Sequence, residues 1–327
     1  MLQAYAVEGS GLKPMTGSAT ALSSAYWIDL YEPTPDEQKA VEQLLGTKLR
    51  VPEEPARFQI STPLRSSGDA ITLTALLLAG LDAHKPRLIT AQFIKGNGPL
   101  VTVTKGGAGG LAWLAQQCDD CIASGSSHAF LVLLDLMIEH ATDALDQAGE
   151  DLDRLNNVLF QHHAPRKRRL MIEASPRWRN RQLERVLTDL GYWREVLVKL
   201  RRSVLSFRRV IILLRERDAA GGLADKLASF EHELKALAEA EEDLSATTSF
   251  MLDGAVGFIG ILQSRIINIM TIVGVLLTPP VLVASVYGMN FKHMPELDWV
   301  WGYGWALGLM VLSALVTYVV VRVRGWI

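Results

Sequence analysis

The sequence predicts an α/β domain followed by a long α-helical stalk continuing into a two-helix transmembrane domain. Three observations predict it. Short strand-like runs, broken by Gly, Pro or charge, fill roughly the first hundred residues, and heptad-spaced apolar residues run from the 220s into the 260s. Two segments near the end carry no charge at all: Ile266 to Phe291, 26 residues, and Trp299 to Val321, 23 residues. A hydrocarbon core roughly 30 Å thick is spanned by about 20 apolar residues in a helix, so both segments are long enough to cross it. The average composition of the 327 residues (49% hydrophobic, 21% charged, net charge −2) conceals this division and gives no reason to expect a nucleic-acid partner. The divisions expected along the chain are an α/β domain over 1–110, a helical region with a hairpin over 111–222, and a stalk helix over 223–265. A first span over 266–287, an outer link over 288–298, a second span over 299–321 and a tail over 322–327 follow.

In the first region, "AYAVEG", "AYWIDLYEP", "RFQIST", "AITLTALLLAG", "LITAQFIK" and "LVTVT" read as strands bounded by turn residues. Between them "TPDEQKAVEQLLG" carries a complete helix punctuation. Thr34 is the N-cap, Pro35 the first helical residue, Glu37 closes a capping box, and Gly46 follows the end. The stretch "KGGAGG", Lys105 to Gly110, follows a strand and precedes a helix, but matches neither phosphate-binding glycine pattern and reads as a flexible turn. The start "MLQAYAVEGSGLKP" lacks the basic-then-apolar order of a secretory leader.

From about Leu111 the chain reads as helical. One helix is expected over roughly Ser127 to Gln161, with acidic residues outward, and a basic one over about Pro176 to Arg217. The two cysteines, Cys118 and Cys121, have C-x-x-C spacing. With no second pair to complete a zinc site, and a position inside a predicted helix, they read as reduced cytosolic thiols. After Gly221-Gly222 comes the clearest period: Leu223, Leu227, Phe230, Leu234, Leu237, Leu244, Met251, Phe258 and Leu262 alternate by four and three, with Glu241, Thr248 and Ala255 at the unfilled rungs. A sustained 3.5-residue repeat marks a seam packed on another helix. No strong breaker intervenes before Tyr287, so one helix of about 98 Å is expected at 1.5 Å per residue; an ordinary core stripe within a bundle would give the same ladder.

The first span is unlike a plain anchor. Ser264, Thr271, Thr278 and Ser285 recur every seven residues, with Ile267, Gly274 and Val281 beside them. Lipid gains nothing from hydroxyls in register, so this face should meet other helices or a wet lumen. Pro279 and Pro280 remove the backbone donors that would engage the carbonyls of Val275 and Leu276, and in a membrane those carbonyls need a partner. Two helices cannot enclose a pore, so a lumen would require oligomerisation. Arg265 before the first span and Arg322 and Arg324 after the second, against Lys292, Glu296 and Asp298 in the link, place both termini in the cytoplasm.

The link then supplies a specific signature. "YGMN" (Tyr287, Gly288, Met289, Asn290) and "MPEL" (Met294 to Leu297), between two apolar spans, resemble the CorA family of divalent-cation transporters, whose wider superfamily includes a zinc-transporting branch. "WIDLYEP" (Trp27 to Pro33) and "LRRSVLSFRRV" (Leu200 to Val210) are similar to family segments more loosely. The resemblance implies a homopentamer in a bacterial-type inner membrane, with a cytoplasmic α/β domain and the first span lining a pore for Mg2+ or Co2+, with Zn2+ or Ni2+ as alternatives. It implies no enzyme and no covalently bound cofactor. Asn290, repeated in each subunit, would ring the outer mouth and meet the ion through its hydration shell. Glu296 on the outer loop would raise local cation concentration or simply be solvated. Pore-lining residues would be Ser264, Ile267, Met270, Thr271, Gly274, Thr278, Val281 and Ser285, with Ile267 and Met270 as gate candidates and Thr278 and Val281 further out. Two alternatives remain open: the zinc-type transporter, and a non-conducting scaffold or sensor with the same fold.

Several positions depart from the family pattern. The inner run "SRIINIMT" has Ile267 at a Met position and Asn268 at a Lys, and Thr278 stands where Met is common. No local motif fixes a cytosolic regulatory site; Asp143, Asp146, Glu150 and Glu239 read equally well as solvated helix faces. The basic tip "HHAPRKRR", with Arg166, Lys167, Arg168 and Arg169, would suit anionic lipid, each charge contributing about 1 kcal/mol near such a surface, or would simply be solvated. His162 and His163 lack further ligands nearby.

Overall fold

A computed structural model describes residues 1–8, 11–15, 22, 24–52, 63–67, 70–81, 83–96, 98–106, 111–116, 125–161, 176–217, 223–289, 295 and 299–324. The chain divides into two compact units, Met1–Leu252 and Asp253–Ile327.

The first unit is built on a seven-stranded sheet: β1 (Leu2–Glu8), β2 (Gly11–Met15), β3 (Trp27–Tyr31), β4 (Leu64–Ser67), β5 (Ala70–Ala79), β6 (Arg87–Lys95) and β7 (Leu100–Lys105). Its order is β2-β1-β3-β7-β6-β5-β4. Among the described strands only β3 and β7 run parallel, with Asp29 opposite Thr102. β2 and β4, which strand-like composition does not reveal, occupy the two edges. β2 pairs Pro14 with Tyr5, a position for proline that only an edge strand tolerates. "RFQIST" lies outside the described residues.

Helix α1 (Pro35–Leu45) has the expected capping box: Thr34 accepts from the Glu37 amide, and the Glu37 carboxylate accepts from the Thr34 amide. Gly46 ends it in the left-handed conformation, φ 66°, where glycine pays no Cβ penalty. Its Val41 packs on one face of the sheet with Ile28, Leu30, Ile94, Val101 and Val103. The other face meets a 3-10 turn (Ala112–Gln116) and α2 (Gly125–Gln161), where Phe93 and Phe130 meet edge to face at 5.7 Å. The turn replaces the α-helix expected to begin at Leu111.

Helix α3 (Pro176–Arg217) lies along β5 and closes an open stretch of its edge. β4 pairs only with residues 70–73 of β5, and beyond it Ser203 donates to the Leu76 carbonyl while the Leu76 amide donates to Ser206, both at 2.9 Å. A buried backbone pair that no strand reaches is thus satisfied by two hydroxyls one helical turn apart.

Helix α4 (Ala224–Tyr287) is continuous for 64 residues, and α5 (Gly302–Val323) follows the link. The heptad ladder of α4 is its covered face. Leu227, Phe230, Leu234 and Met251 are buried, and so are the rungs that lack a large apolar residue: Glu241, Thr248 and Ala255. Glu241 is only 1% exposed and is paired with Arg201 of α3 at 3.3 Å. Burial holds its carboxyl above the usual range, with Arg201 opposing that shift. Glu242 beside it also meets Arg201, and Arg215 pairs with Glu231 two heptads along α3.

Candidate functional site

The second unit contains two apolar helical segments joined by the link. On α4 every residue from Gln263 to Thr271 is exposed, and a covered stripe resumes beyond them: Ile272, Leu276, Pro279, Val283 and Tyr287 are half-buried. On α5 the matching stripe is Gly302, Ala306, Met310, Ser313, Thr317 and Val321.

The hydroxyl face of α4 is turned away from that helix's own covered stripe. Ser264, Ile267, Thr271, Gly274, Thr278, Val281 and Ser285 are all exposed. Each of Gly274, Thr278, Val281 and Ser285 lies two positions after a covered residue, about 200° round a helix of 3.6 residues per turn. Ile267, Met270 and Val281 are 63%, 67% and 59% exposed. The exposed stripe also runs back in the same phase through Gly260, Gly257 and Asp253, an extension that the heptad count from Ser264 would have revealed and that the hydroxyl pattern alone did not. Added Cβ atoms at Gly257, Gly260 and Gly274 would meet nothing within 4 Å. No contact among the described residues explains these glycines, each of which costs a helix roughly 0.5–1 kcal/mol relative to alanine.

The Thr hydroxyls are oriented by the backbone. Thr271 donates to the Ile267 carbonyl at 2.8 Å and Thr278 to the Gly274 carbonyl at 2.7 Å. Pro279 and Pro280 sit inside the unbroken helix, so the carbonyls of Val275 and Leu276 lack their usual amide donors.

At the outer end the Gly288 amide donates to the Ala284 carbonyl and Met289 to that of Val286, closing the helix. A Cβ at Gly288 would sit 3.2 Å from the Ala284 oxygen, so a larger residue would press on the last turn. Tyr287 is half-buried, while Gly288 and Met289 are exposed. Asn290 and Glu296 lie outside the described residues, as do Arg166 to Arg169, His162, His163, Cys118 and Cys121.

The acidic candidates do not converge. Glu150 pairs with Arg154 and Glu239 with Lys235, each one helical turn away. Asp143 and Asp146 are exposed on α2. Among the described residues no three metal-ligating side chains come together.

Comparison with known proteins follows the same plan. The family model described as CorA-like Mg2+ transporter protein matches residues 23–322. The magnesium transport protein CorA of Escherichia coli strain K12 is 27% identical over 331 aligned positions, covering 100% of both chains. That of Salmonella typhimurium is 26% identical over the same extent. Among solved structures, the CorA magnesium transporter of Methanocaldococcus jannaschii superposes with a TM-score of 0.69 at 16% identity, covering 100% of this chain and 99% of that one. The full-length CmaX protein does so with 0.65 at 14% identity, covering 99% and 97%. At these identities the two structures speak to fold alone: an N-terminal α/β domain, a long helix and two C-terminal apolar helices.

Proposed function

This chain belongs to the CorA-like Mg2+ transporter family, and we propose that it is a divalent-cation channel of an inner membrane, not an enzyme. It passes hydrated Mg2+ or Co2+ down the membrane potential through a homopentameric pore. The observation that carries this reading is the exposed, heptad-spaced face Ser264–Thr271–Thr278–Ser285, whose outer half lies opposite the covered stripe of α4, followed in sequence by Tyr287-Gly288-Met289-Asn290.

Five copies turn that face inward, and Asn290 rings the outer mouth. Mg2+ holds its waters tightly and prefers octahedral oxygen coordination. Neutral amide oxygens accept hydrogen bonds from those waters without stripping them, and neutrality keeps binding weak enough for the ion to leave. Gly288 and Met289 shape the turn that presents the amide. Moving two charges through 100 mV releases roughly 4.6 kcal/mol, equivalent to about a 2,000-fold gradient, so transport requires no nucleotide. The requirement is a closing device, a role we assign to the apolar positions Ile267 and Met270, both exposed on α4. With Arg265, Arg322 and Arg324 at the inner ends of the spans, both termini are cytoplasmic.

Uptake into proteoliposomes held at an inside-negative potential tests the reading, with Mg2+, Co2+, Ni2+ and Zn2+ supplied separately. Selective Mg2+ or Co2+ entry, abolished by Asn290→Ala in protein that remains folded and pentameric, is the expected result. Entry of Zn2+ alone reassigns the substrate. No entry of any ion, from folded pentamer, overturns the channel.

A further inference from the structure

Thr278 has a property that its residue type alone does not fix. A threonine hydroxyl offers one donor and two acceptor lone pairs. Here the donor is committed within the helix, to the Gly274 carbonyl at 2.7 Å, and Thr271 commits its own to Ile267 at 2.8 Å. Lone pairs are what remain outward on this exposed face. The surroundings of Thr278 reinforce that polarity. Gly274, one turn earlier on the same stripe, leaves the space beside the hydroxyl open. Pro279 and Pro280 contribute no N–H, so they add no backbone donor at this level, and the Val275 and Leu276 carbonyls they free lie round the helix toward the covered stripe. From Gly274 to Pro280 the polar atoms left over along the helix are therefore acceptors, in a segment whose other side chains are Val, Leu and Pro.

An acceptor-only level inside an apolar span is not neutral toward ions. The waters around a cation turn their hydrogens outward and can donate to it; the waters around an anion turn their oxygens outward and find no donor. Mg2+ in particular keeps its waters. Thr271 and Thr278, seven residues apart, set two such levels about 10.5 Å apart at 1.5 Å per residue. Successive weak sites of this kind let an ion advance without being held.

We infer that Thr278 is a specificity-determining residue of the pore, its back-bonded hydroxyl presenting only lone pairs and so forming an acceptor-only station for the hydration shell of a divalent cation. This inference rests on the channel reading above. Thr271 supplies the preceding station toward the cytoplasm.

The test compares wild type, Thr278→Val and Thr278→Ser in the same proteoliposomes, with pentamer content measured for each. Valine keeps the shape and removes the oxygen, whereas serine keeps an oxygen that can bond back in the same way. The expected result is a fall of about tenfold in maximal Mg2+ flux for Thr278→Val, the scale of a lost hydrogen bond to a charged partner. The half-saturating Mg2+ concentration, set at the outer mouth, stays unchanged, and Thr278→Ser restores the flux. Equal flux in wild type and Thr278→Val overturns the station while leaving the channel intact. Equal loss in Val and Ser assigns Thr278 to packing and also overturns it. No flux in wild type removes the channel reading itself, and the station with it.

Discussion

Asp29 and Thr102, 73 residues apart, meet at 2.6 Å across the parallel pair of strands, with the threonine hydroxyl donating to the buried carboxylate. The Trp27 indole N–H donates to the same hydroxyl, and the second carboxylate oxygen accepts the Leu111 amide at 2.9 Å. Asp29 thus fastens the segment after β7 to the sheet. Its two donors are neutral, and burial pushes its pKa up to about 6 from 3.8 against the opposing pull of those hydrogen bonds.

A raised carboxyl pKa means the folded protein holds the proton more tightly than the unfolded chain. The first unit should therefore gain stability as pH falls from about 7 to about 4, by about 3 kcal/mol for two pKa units. Asp29→Asn should flatten this dependence and leave the protein no less stable at pH 7.5. Thermal unfolding of the whole chain in detergent between pH 5 and 8 checks it; a variant with wild-type pH dependence would assign the dependence to another group.

Removing the hydroxyl that links Asp29 to Trp27 should cost more than removing the charge. Thr102→Val leaves a buried indole N–H without its acceptor and takes one donor from the carboxylate. A loss of about 1–3 kcal/mol is expected, together with a further upward shift of the Asp29 pKa, read by denaturant unfolding at pH 6 and 8.

Ser203 and Ser206 carry the free edge of β5. Replacing both with alanine strands the amide and carbonyl of Leu76, at about 1–3 kcal/mol for each group left unpaired. Hydrogen exchange at the Leu76 amide should accelerate in the double variant before global unfolding does. Unchanged protection would mean water substitutes for the serines.

The Arg201–Glu241 pair predicts opposite outcomes for its two members. Arg201→Ala leaves a buried carboxylate with less compensation and should lower stability by about 1–3 kcal/mol, the half-exposed arginine limiting the loss. Glu241→Leu fills the ladder rung with the residue its period calls for, and should be neutral or stabilising. Comparing the two melting temperatures, with oligomeric state measured alongside, decides the point.

Ile267 lies on the hydroxyl stripe between Ser264 and Thr271. If its apolar side chain closes the pore by excluding water, Ile267→Asn should raise resting Mg2+ entry about tenfold in proteoliposomes with high internal Mg2+. Unchanged resting entry would move the gate to another position.

Much of this protein is written in its local order. The capping box of α1, the extent of α3 and the ladder of α4 are properties of neighbouring residues, so periodicity and punctuation reveal them. Even the burial of Glu241, Thr248 and Ala255 follows from their rungs in the ladder, whatever their polarity. The tertiary structure alone decided what lies opposite. It made β3 and β7 neighbours and so brought Asp29 to Thr102. It laid α3 on β5, so that Ser203 reaches Leu76 across 127 residues of sequence, and it supplied Arg201 to Glu241. It also made strands of "GLKPM" and "LRSS", whose edge positions tolerate proline and charge that strand composition disfavours. The reason is the range of the forces involved. A helical period or a cap is fixed by residues within a turn or two, whereas strand order and buried polar partners are set by which distant segments can share one core with every backbone group satisfied.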